Sequence, residues 1–423
     1  MIVAGLRGVG RTVLLGQFRT KALQSNWVVV ELEVSEHDDT QFRRDLASRL
    51  RTALLQLSPR ARWSDAVRRA AGVLTSFTVQ VDAQGRWQAG LGVDAAEGIA
   101  DHGDLALDLT DLLVAIGEAA ADRERGVVLL FDELQFLSTP QLEAVIEGLH
   151  KLVQRKLPIS LVGAGLPQIP ELAGDAKSYA ERLFRFPAIG NLEPDDARRS
   201  LSEPAADEGV AFEPHALSRA VELTGGYPYF LQELGYAMWD GAQKSPILLE
   251  DVEDALPIYQ SKPDASFFRV RLDRATEMQR AYLRAMAGLG PQPQKAADVA
   301  AAMGRTSPQV APTRAELINM GLLYTPEHGY AAFTVPHFDQ FMLRAIPTLL
   351  VPEPRRRAAK PRREAIDDGH HPGRPSSPHV RVHTVAWLSW AFVRTRRWPR
   401  QRTARCSGRG RRARPRRGWQ PQG

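Results

Sequence analysis

Cysteine is almost absent from this chain of 423 residues, and Cys406 is the only one. One cysteine forms no intramolecular disulfide, so disulfide-dependent scaffolds are excluded and a reducing compartment is expected. Long hydrophobic runs are also missing, since no stretch approaches the roughly 18 apolar residues of a membrane span. The first residues do not resemble a secretory signal either. We therefore expect a cytoplasmic protein without a membrane partner.

A net positive charge is absent outside the end of the chain. Residues 352–423 hold 20 Lys and Arg against four Asp and Glu, a net charge of +16, whereas the whole chain carries only +6. The preceding residues are therefore acidic, with a net charge of −10. The high isoelectric point comes from this tail and does not indicate a basic nucleic-acid-binding face elsewhere.

The tail, residues 351–423, is rich in Arg, Pro and Gly and shows no sustained hydrophobic period, which predicts disorder. Its arginines and tryptophans are typical of segments that pair with phosphates and stack on bases. An extension without a selected function has the same composition, and the sequence leaves both interpretations open.

Buried strands alternate with helices in the first part of the chain, which we place at residues 1–191. Apolar runs without a polar face predict four strands, at 1–4, 27–34, 126–133 and 157–165. Apolar residues spaced by three and four predict helices between them, for example at 40–57 and 139–155. This order is typical of a three-layer α/β domain with a parallel sheet. Residues 76–93 alternate with period two and predict an inserted β-hairpin.

The pattern changes to helices alone after the first part. Residues 192–258 predict a small all-α lid. Residues 259–350 predict three helices and then two strands, the element order of a winged helix-turn-helix domain. The third of these helices carries Arg314 and Asn319 but also Glu316, which is less basic than a DNA-reading helix usually is. A DNA partner and a protein partner both remain open.

The string GLRGVGRT, residues 5–12, has the spacing of a phosphate-binding loop, but Arg11 replaces the usual lysine. A buried strand precedes it and a helix follows, which is the required context. The predicted nucleotide-binding residues are Gly5, Gly8, Val9, Gly10, Arg11, Thr12 and Val13. The alternative is a glycine-rich turn that binds no ligand.

A second motif, VVLLFDE, ends a buried strand with Asp132 and Glu133. Two carboxylates at such a position are costly unless a cation lies nearby, and Mg²⁺ bound to phosphates is a natural partner. We predict that Asp132 and Thr12 hold the metal and that Glu133 orients or deprotonates the attacking water. The alternative is that both acids only cap the following helix.

Taken together, GLRGVGRTVLL, VVLLFDELQFL, LVGAGLP, RLFRF and GGYPYFLQELG resemble the AAA+ ATPases of the origin-recognition-like group, which is close to the STAND NTPases. The resemblance covers residues 1–347. It implies ATP as the nucleotide and a helical lid followed by a winged helix. It also implies a homo-oligomer in which Arg182 or Arg185 acts as an arginine finger in a neighbouring subunit's site. Alternatively, each of these arginines pairs with surface acids.

Three departures from that group are visible. Arg11 keeps the charge of the lysine but differs in shape and hydration. Relatives have an adenine-contacting segment before the first strand, whereas four residues precede Gly5 here, so either the start is wrongly placed or base recognition is impaired. The sensor positions lack their usual polar groups, with Tyr227 and Tyr229 in place of an arginine and Gln168 as the nearest polar candidate.

The sequence thus predicts Mg²⁺-dependent ATP binding with slow hydrolysis that switches the lid and the winged helix between arrangements. The alternative is a hydrolysis-deficient adaptor that binds DNA or protein through the winged helix and the basic tail.

Overall fold

The structure is a computed structural model and describes residues 1–35, 38–79, 91–262 and 268–353. All of these lie in one compact unit, Met1–Arg355. The predicted disordered tail lies outside the described residues apart from its first three positions. Within the described ranges, no helix combines the length and the apolar character needed to cross a membrane.

A parallel five-stranded sheet forms the first part of the chain. Its strands are β1 Ile2–Gly5, β2 Val28–Glu33, β3 Val127–Asp132, β4 Ile159–Gly165 and β5 Ala188–Ile189. They lie in the order β2-β3-β4-β1-β5, and every pairing is parallel. The predicted three-layer α/β class is confirmed. Only β5 was not predicted, because two residues are too few to show a hydrophobic period.

Seven helices accompany this sheet in the described residues, and short polar side chains cap three of them, α2, α4 and α5. They are α1 Arg11–Gln24, α2 Asp39–Leu57, α3 Asp65–Val79, α4 Leu105–Asp122, α5 Thr139–Gln154, α6 Ile169–Ala176 and α7 Ala180–Leu183. Asp38 and Asp104 accept backbone N–H groups at the starts of α2 and α4. A 3-10 turn, Leu134–Phe136, links β3 to α5.

The predicted hairpin at residues 76–93 is wrong where the structure describes it. Residues 76–79 continue α3, and residues 91–93 form no strand, while the segment between them lies outside the described residues. The reason is packing: Ala70, Leu74 and Phe77 share one helical face and are fully buried. This helical spacing extends over four turns and outweighs a short alternation.

Four helices make up the middle part: α8 Pro194–Asp207, α9 Pro214–Thr224, α10 Pro228–Gly241 and α11 Leu249–Lys262. Proline occupies the first helical position of the first three, where its missing N–H costs nothing. The all-helical character agrees with the sequence, although α11 continues four residues past the predicted boundary at 258.

The last part combines helices with a small antiparallel sheet. Its elements are α12 Arg269–Asp273, α13 Glu277–Leu289, β6 Gln294–Lys295, α14 Ala296–Ala302, α15 Ser307–Asn319, β7 Leu323–Tyr324, β8 Tyr330–Phe333 and α16 Phe338–Ala345. The strands lie in the order β6-β8-β7. The three predicted helices correspond to α13, α14 and α15, and the two predicted strands correspond to β7 and β8. Helices α12 and α16 and strand β6 are additional.

Buried apolar side chains form two clusters. The larger joins the parallel sheet to its helices. The smaller is built mainly by the last part, but it also includes Val9 of the glycine-rich loop and Tyr227 and Phe230 beside and within α10. The loop therefore packs against both later parts of the chain.

Candidate functional site

Two glycines shape the loop between β1 and α1. Gly8 and Gly10 have φ angles of 88° and 93°, in the left-handed region that favours glycine. A Cβ at Gly8 would also lie 3.0 Å from Cβ of Tyr229. The loop therefore needs glycine at position 8 for its close approach to α10 and at both positions for its backbone turn.

The peptide groups of the loop face in two directions. The Arg7 carbonyl accepts the Tyr227 hydroxyl, and the Gly8 carbonyl accepts the Tyr229 N–H at 3.1 Å. By contrast, the N–H groups of residues 8–13 donate to no acceptor within the described residues. Free N–H groups at the start of a helix, reinforced by its dipole, form an anion-binding concavity.

The loop and the carboxylate pair meet at the end of β3. The Thr12 hydroxyl donates to Oδ2 of Asp132 at 2.7 Å, and Oδ1 of Asp132 accepts the Glu133 N–H at 2.8 Å. The two residues that the sequence predicted as metal ligands are 120 positions apart, yet they are in direct contact. Their oxygen atoms are of the type that Mg²⁺ prefers.

Arg11 does not point away from the site. Its Nη2 donates to the two carboxylate oxygens of Glu133 at 3.2 and 3.1 Å. The arginine is only 6% exposed, and its Nη1 is buried without a hydrogen-bond partner. The residue in the lysine position is therefore inside the site and retains an unused donor.

Glu133 is held ionised by its surroundings. Burial alone would raise the pKa of its carboxyl, but the charges of Arg11 and Arg7 and hydrogen bonds from Gln135 and Arg11 outweigh burial, so the pKa lies below its usual value. A carboxylate can accept a proton from water, but this one is already engaged by a guanidinium. The capping alternative does not hold for Glu133, which makes no side-chain cap to the following turn.

Gln135 belongs to the site although the sequence did not single it out. Its Nε2 donates to Oε2 of Glu133, and its Oε1 accepts the Leu166 N–H at 3.1 Å. It thereby connects the acid after β3 to the loop after β4. The available signal was one polar residue within the apolar string LQFL that directly follows the carboxylate pair.

The arginine-finger candidates lie elsewhere. Arg182 is in α7 and Arg185 lies before β5, and both are exposed. Neither takes part in an ion pair with another described residue. Gln168, the sensor candidate, precedes α6, and its Oε1 is buried without a partner. The structure does not bring these three side chains into contact with the residues of the loop.

The residues present fit a metal-bound nucleotide. The free N–H groups and the unused Nη1 of Arg11 are donors for phosphate oxygens. No group of three or more metal-binding side chains occurs in the described ranges, so Thr12 and Asp132 are too few to hold a cation alone. They suit a cation that takes its remaining ligands from phosphates and water.

Two family models match the chain. Residues 1–162 match the AAA ATPase domain, and residues 265–342 match a domain of unknown function, DUF8462. No curated protein matches the sequence. The first match and the sheet topology together support an AAA+ P-loop ATPase domain in this part of the chain, and hence nucleotide binding.

One of three similar solved structures shows the same fold. A Walker-type ATPase of Pyrococcus abyssi is 15% identical over 81% of this chain and 90% of its own, with a TM-score of 0.51. The Holliday junction branch migration motor RuvB of Thermotoga maritima is 16% identical over 78% of this chain and 83% of its own, with a TM-score of 0.38. The ORC1 protein of Aeropyrum pernix, solved in complex with DNA, is 14% identical over 82% and 86%, with a TM-score of 0.37. The last two TM-scores are too low to define a shared architecture.

Proposed function

We propose that this chain binds Mg²⁺-ATP at the loop of residues 5–13 and hydrolyses it slowly. The observation that carries the proposal is the 2.7 Å contact between the Thr12 hydroxyl and the Asp132 carboxylate. It places the phosphate-binding helix terminus and the carboxylate pair around one point. The family match over residues 1–162 supports the same conclusion.

Each residue of the site has a distinct task. The N–H groups of residues 8–13 and the Arg11 guanidinium bind phosphate oxygens, and Thr12 and Asp132 hold the metal. Bound Mg²⁺ would neutralise charge that develops on the phosphates. Glu133 orients the attacking water and accepts its proton, and Gln135 fixes the direction of that carboxylate. Arg182 or Arg185 would complete the site of a neighbouring copy, which requires a homo-oligomer.

We divide the chain into three domains and a tail. The ATPase domain is at 1–191, the helical lid at 192–258 and the winged helix at 259–350, and the tail follows. Helices α13, α14 and α15 and the antiparallel sheet of the last part support the winged-helix assignment. Tyr227 and Tyr229 of the lid hydrogen-bond to the loop, so a change in the loop on nucleotide binding would reach the lid through these contacts.

The rate of ATP hydrolysis is expected to be low because Arg11 and Glu133 neutralise each other. Bound phosphate must draw Arg11 away before Glu133 is free to accept a proton.

The same ion pair favours a second candidate function, a hydrolysis-deficient regulator. Such a protein would act through its winged helix on DNA or on a protein. The exposed residues of α15 include Gln309, Glu316 and Asn319. A DNA-reading helix would be more basic than this, so the composition of α15 favours a protein partner.

Phosphate release by three forms of the full chain separates the two candidates. We expect slow, Mg²⁺-dependent release by the wild type, faster release by Arg11→Lys, and none above background by Glu133→Gln. Loss of one well-placed, charge-assisted contact costs on the order of 1.5 to 3 kcal/mol. Restoring this contact in the lysine variant is therefore expected to raise the rate of phosphate release by about tenfold or more. Equal background rates for all three forms would support the regulator.

A further inference from the structure

Arg7 is a second arginine of the loop, and its side chain turns towards the carboxylate pair. Its Nη2 lies 3.9 Å from Oε1 of Glu133, on the same carboxylate that Arg11 binds. The two guanidinium groups thus converge on a single acid. This acid alone does not balance their two positive charges.

The Arg7 guanidinium is also incompletely satisfied. Its Nε is buried and has no hydrogen-bond partner, and its side chain is only 20% exposed. An unpaired buried donor is costly unless it serves a ligand. Together with the unused Nη1 of Arg11, it leaves two buried donors beside the loop for an anion.

The last part of the chain fixes the position of Arg7. The Arg7 N–H donates to the Thr334 carbonyl at 3.3 Å, and the Thr334 hydroxyl donates to the Gly321 carbonyl at 2.8 Å. The guanidinium lies directly against Gly321, where a Cβ would come within 2.6 Å of Nη2. Only a glycine at position 321 leaves room for the guanidinium in this place.

We infer that Arg7 binds the terminal phosphate of the nucleoside triphosphate, and that the turn at Gly321 is the positioning element for it. The inference rests on the proposed nucleotide site and adds a ligand-binding residue to it. It also makes residues 265–342 part of that site, because Gly321 and Thr334 lie within them. Arg7 exchanges Glu133 for phosphate when the triphosphate binds, and a diphosphate, which lacks the terminal group, gains little from it.

Calorimetric titration of the full chain with Mg²⁺-ATP and Mg²⁺-ADP tests this assignment. We expect Arg7→Ala to weaken ATP binding by about tenfold or more and ADP binding by much less. Arg7→Lys is expected to restore part of the loss, because it keeps the charge without the planar fork. Equal affinity of wild type and Arg7→Ala for ATP would overturn the inference, as would equal losses for ATP and ADP.

The positioning role is tested by Gly321→Ala, with Gly304→Ala as its matched control. Both glycines lie in the last part with φ near 65°, but a Cβ at Gly304 meets nothing within 4 Å. The two variants therefore share the backbone strain, and only the first displaces Arg7. We expect ATP affinity to fall in Gly321→Ala alone, and the double variant with Arg7→Ala to bind like Arg7→Ala. Losses that add in the double variant would overturn the positioning role.

Failure of the inference is distinguishable from failure of the proposed function. If the wild type itself binds neither nucleotide, the nucleotide site is wrong and Arg7 loses its proposed ligand. If the wild type binds ATP and the Arg7 variants bind it equally well, the site stands and only the role of Arg7 is removed.

Discussion

At the scale of single residues, the substitution of arginine for lysine at position 11 governs the site. The sequence predicted that Arg11 lies in the loop and keeps the positive charge. It did not predict the contact of Nη2 with both carboxylate oxygens of Glu133, because that contact joins residues 122 positions apart through the sheet. The guanidinium binds the acid through Nη2 alone and keeps Nη1 as a second donor in the same plane, which a lysine ammonium does not offer in this fixed geometry.

Gln135 provides a test of how Glu133 is positioned. In Gln135→Ala, the carboxylate loses a donor, and the loop after β4 loses the acceptor for the Leu166 N–H. We expect kcat to fall about tenfold, a typical effect of losing a supporting hydrogen bond, while KM for Mg²⁺-ATP stays unchanged. The control is Gln154→Ala on the exposed surface of α5. A rise in KM with unchanged kcat would contradict a positioning role.

Because His337 is partly buried, we expect the free energy of unfolding to depend on pH. Burial lowers the pKa of its ring below 6.5, with Asp339 opposing and Arg344 assisting this shift, and the ring packs against Phe230. The folded state thus favours the neutral ring, so its contribution is complete above pH 6.5 and is lost as pH falls through the lowered pKa.

In His337→Asn, this titration is removed, and asparagine tolerates the left-handed backbone there, where φ is 62°. We expect the free energy of unfolding of the wild type to fall more steeply below about pH 6.5 than that of the variant. Denaturant unfolding over a pH series measures the difference. If the free energy of unfolding changed with pH in parallel for the two proteins, His337 would not contribute to the pH dependence.

At the scale of secondary-structure elements, hydrophobic period determined what could be predicted. The four longer strands and the capped helices were visible in the sequence because each buries a regular face. The first residues of the predicted hairpin, 76–79, belong to α3 instead, because the helical face of α3 is decided by packing against α4 and not by the local alternation around Phe77. Strand β5 was too short to leave a pattern.

The capping box of α5 offers a stability test. Oγ of Ser138 accepts the Gln141 N–H at 3.4 Å, and Oε1 of Gln141 accepts the Ser138 N–H at 3.1 Å. We expect Ser138→Ala to lower the free energy of unfolding by about 1 kcal/mol, because a backbone donor loses its partner. Ser138→Asn retains an acceptor and is expected to cost little. Urea unfolding that ranks both variants equally would argue against the cap.

At the scale of the whole molecule, the glycine-rich loop is the meeting point of all three parts of the chain. Its carbonyls bind Tyr227 and Tyr229, Thr334 accepts its Arg7 N–H, and Val9 enters the core of the last part. No local pattern in the sequence predicts such contacts, since they join segments more than 200 residues apart and depend on the assembled fold. The order of the three parts, however, was predicted from the change in pattern along the chain.

The most direct test of the account is the effect of Mg²⁺-ATP on the denaturant unfolding of the full chain. A ligand at one hundred times its Kd is expected to raise the free energy of unfolding by about 2.7 kcal/mol. We predict such a rise for the wild type with Mg²⁺-ATP, and a smaller one when Mg²⁺ is chelated or when Asp132 is replaced by alanine. Unfolding curves that are unchanged by saturating Mg²⁺-ATP would contradict the nucleotide site.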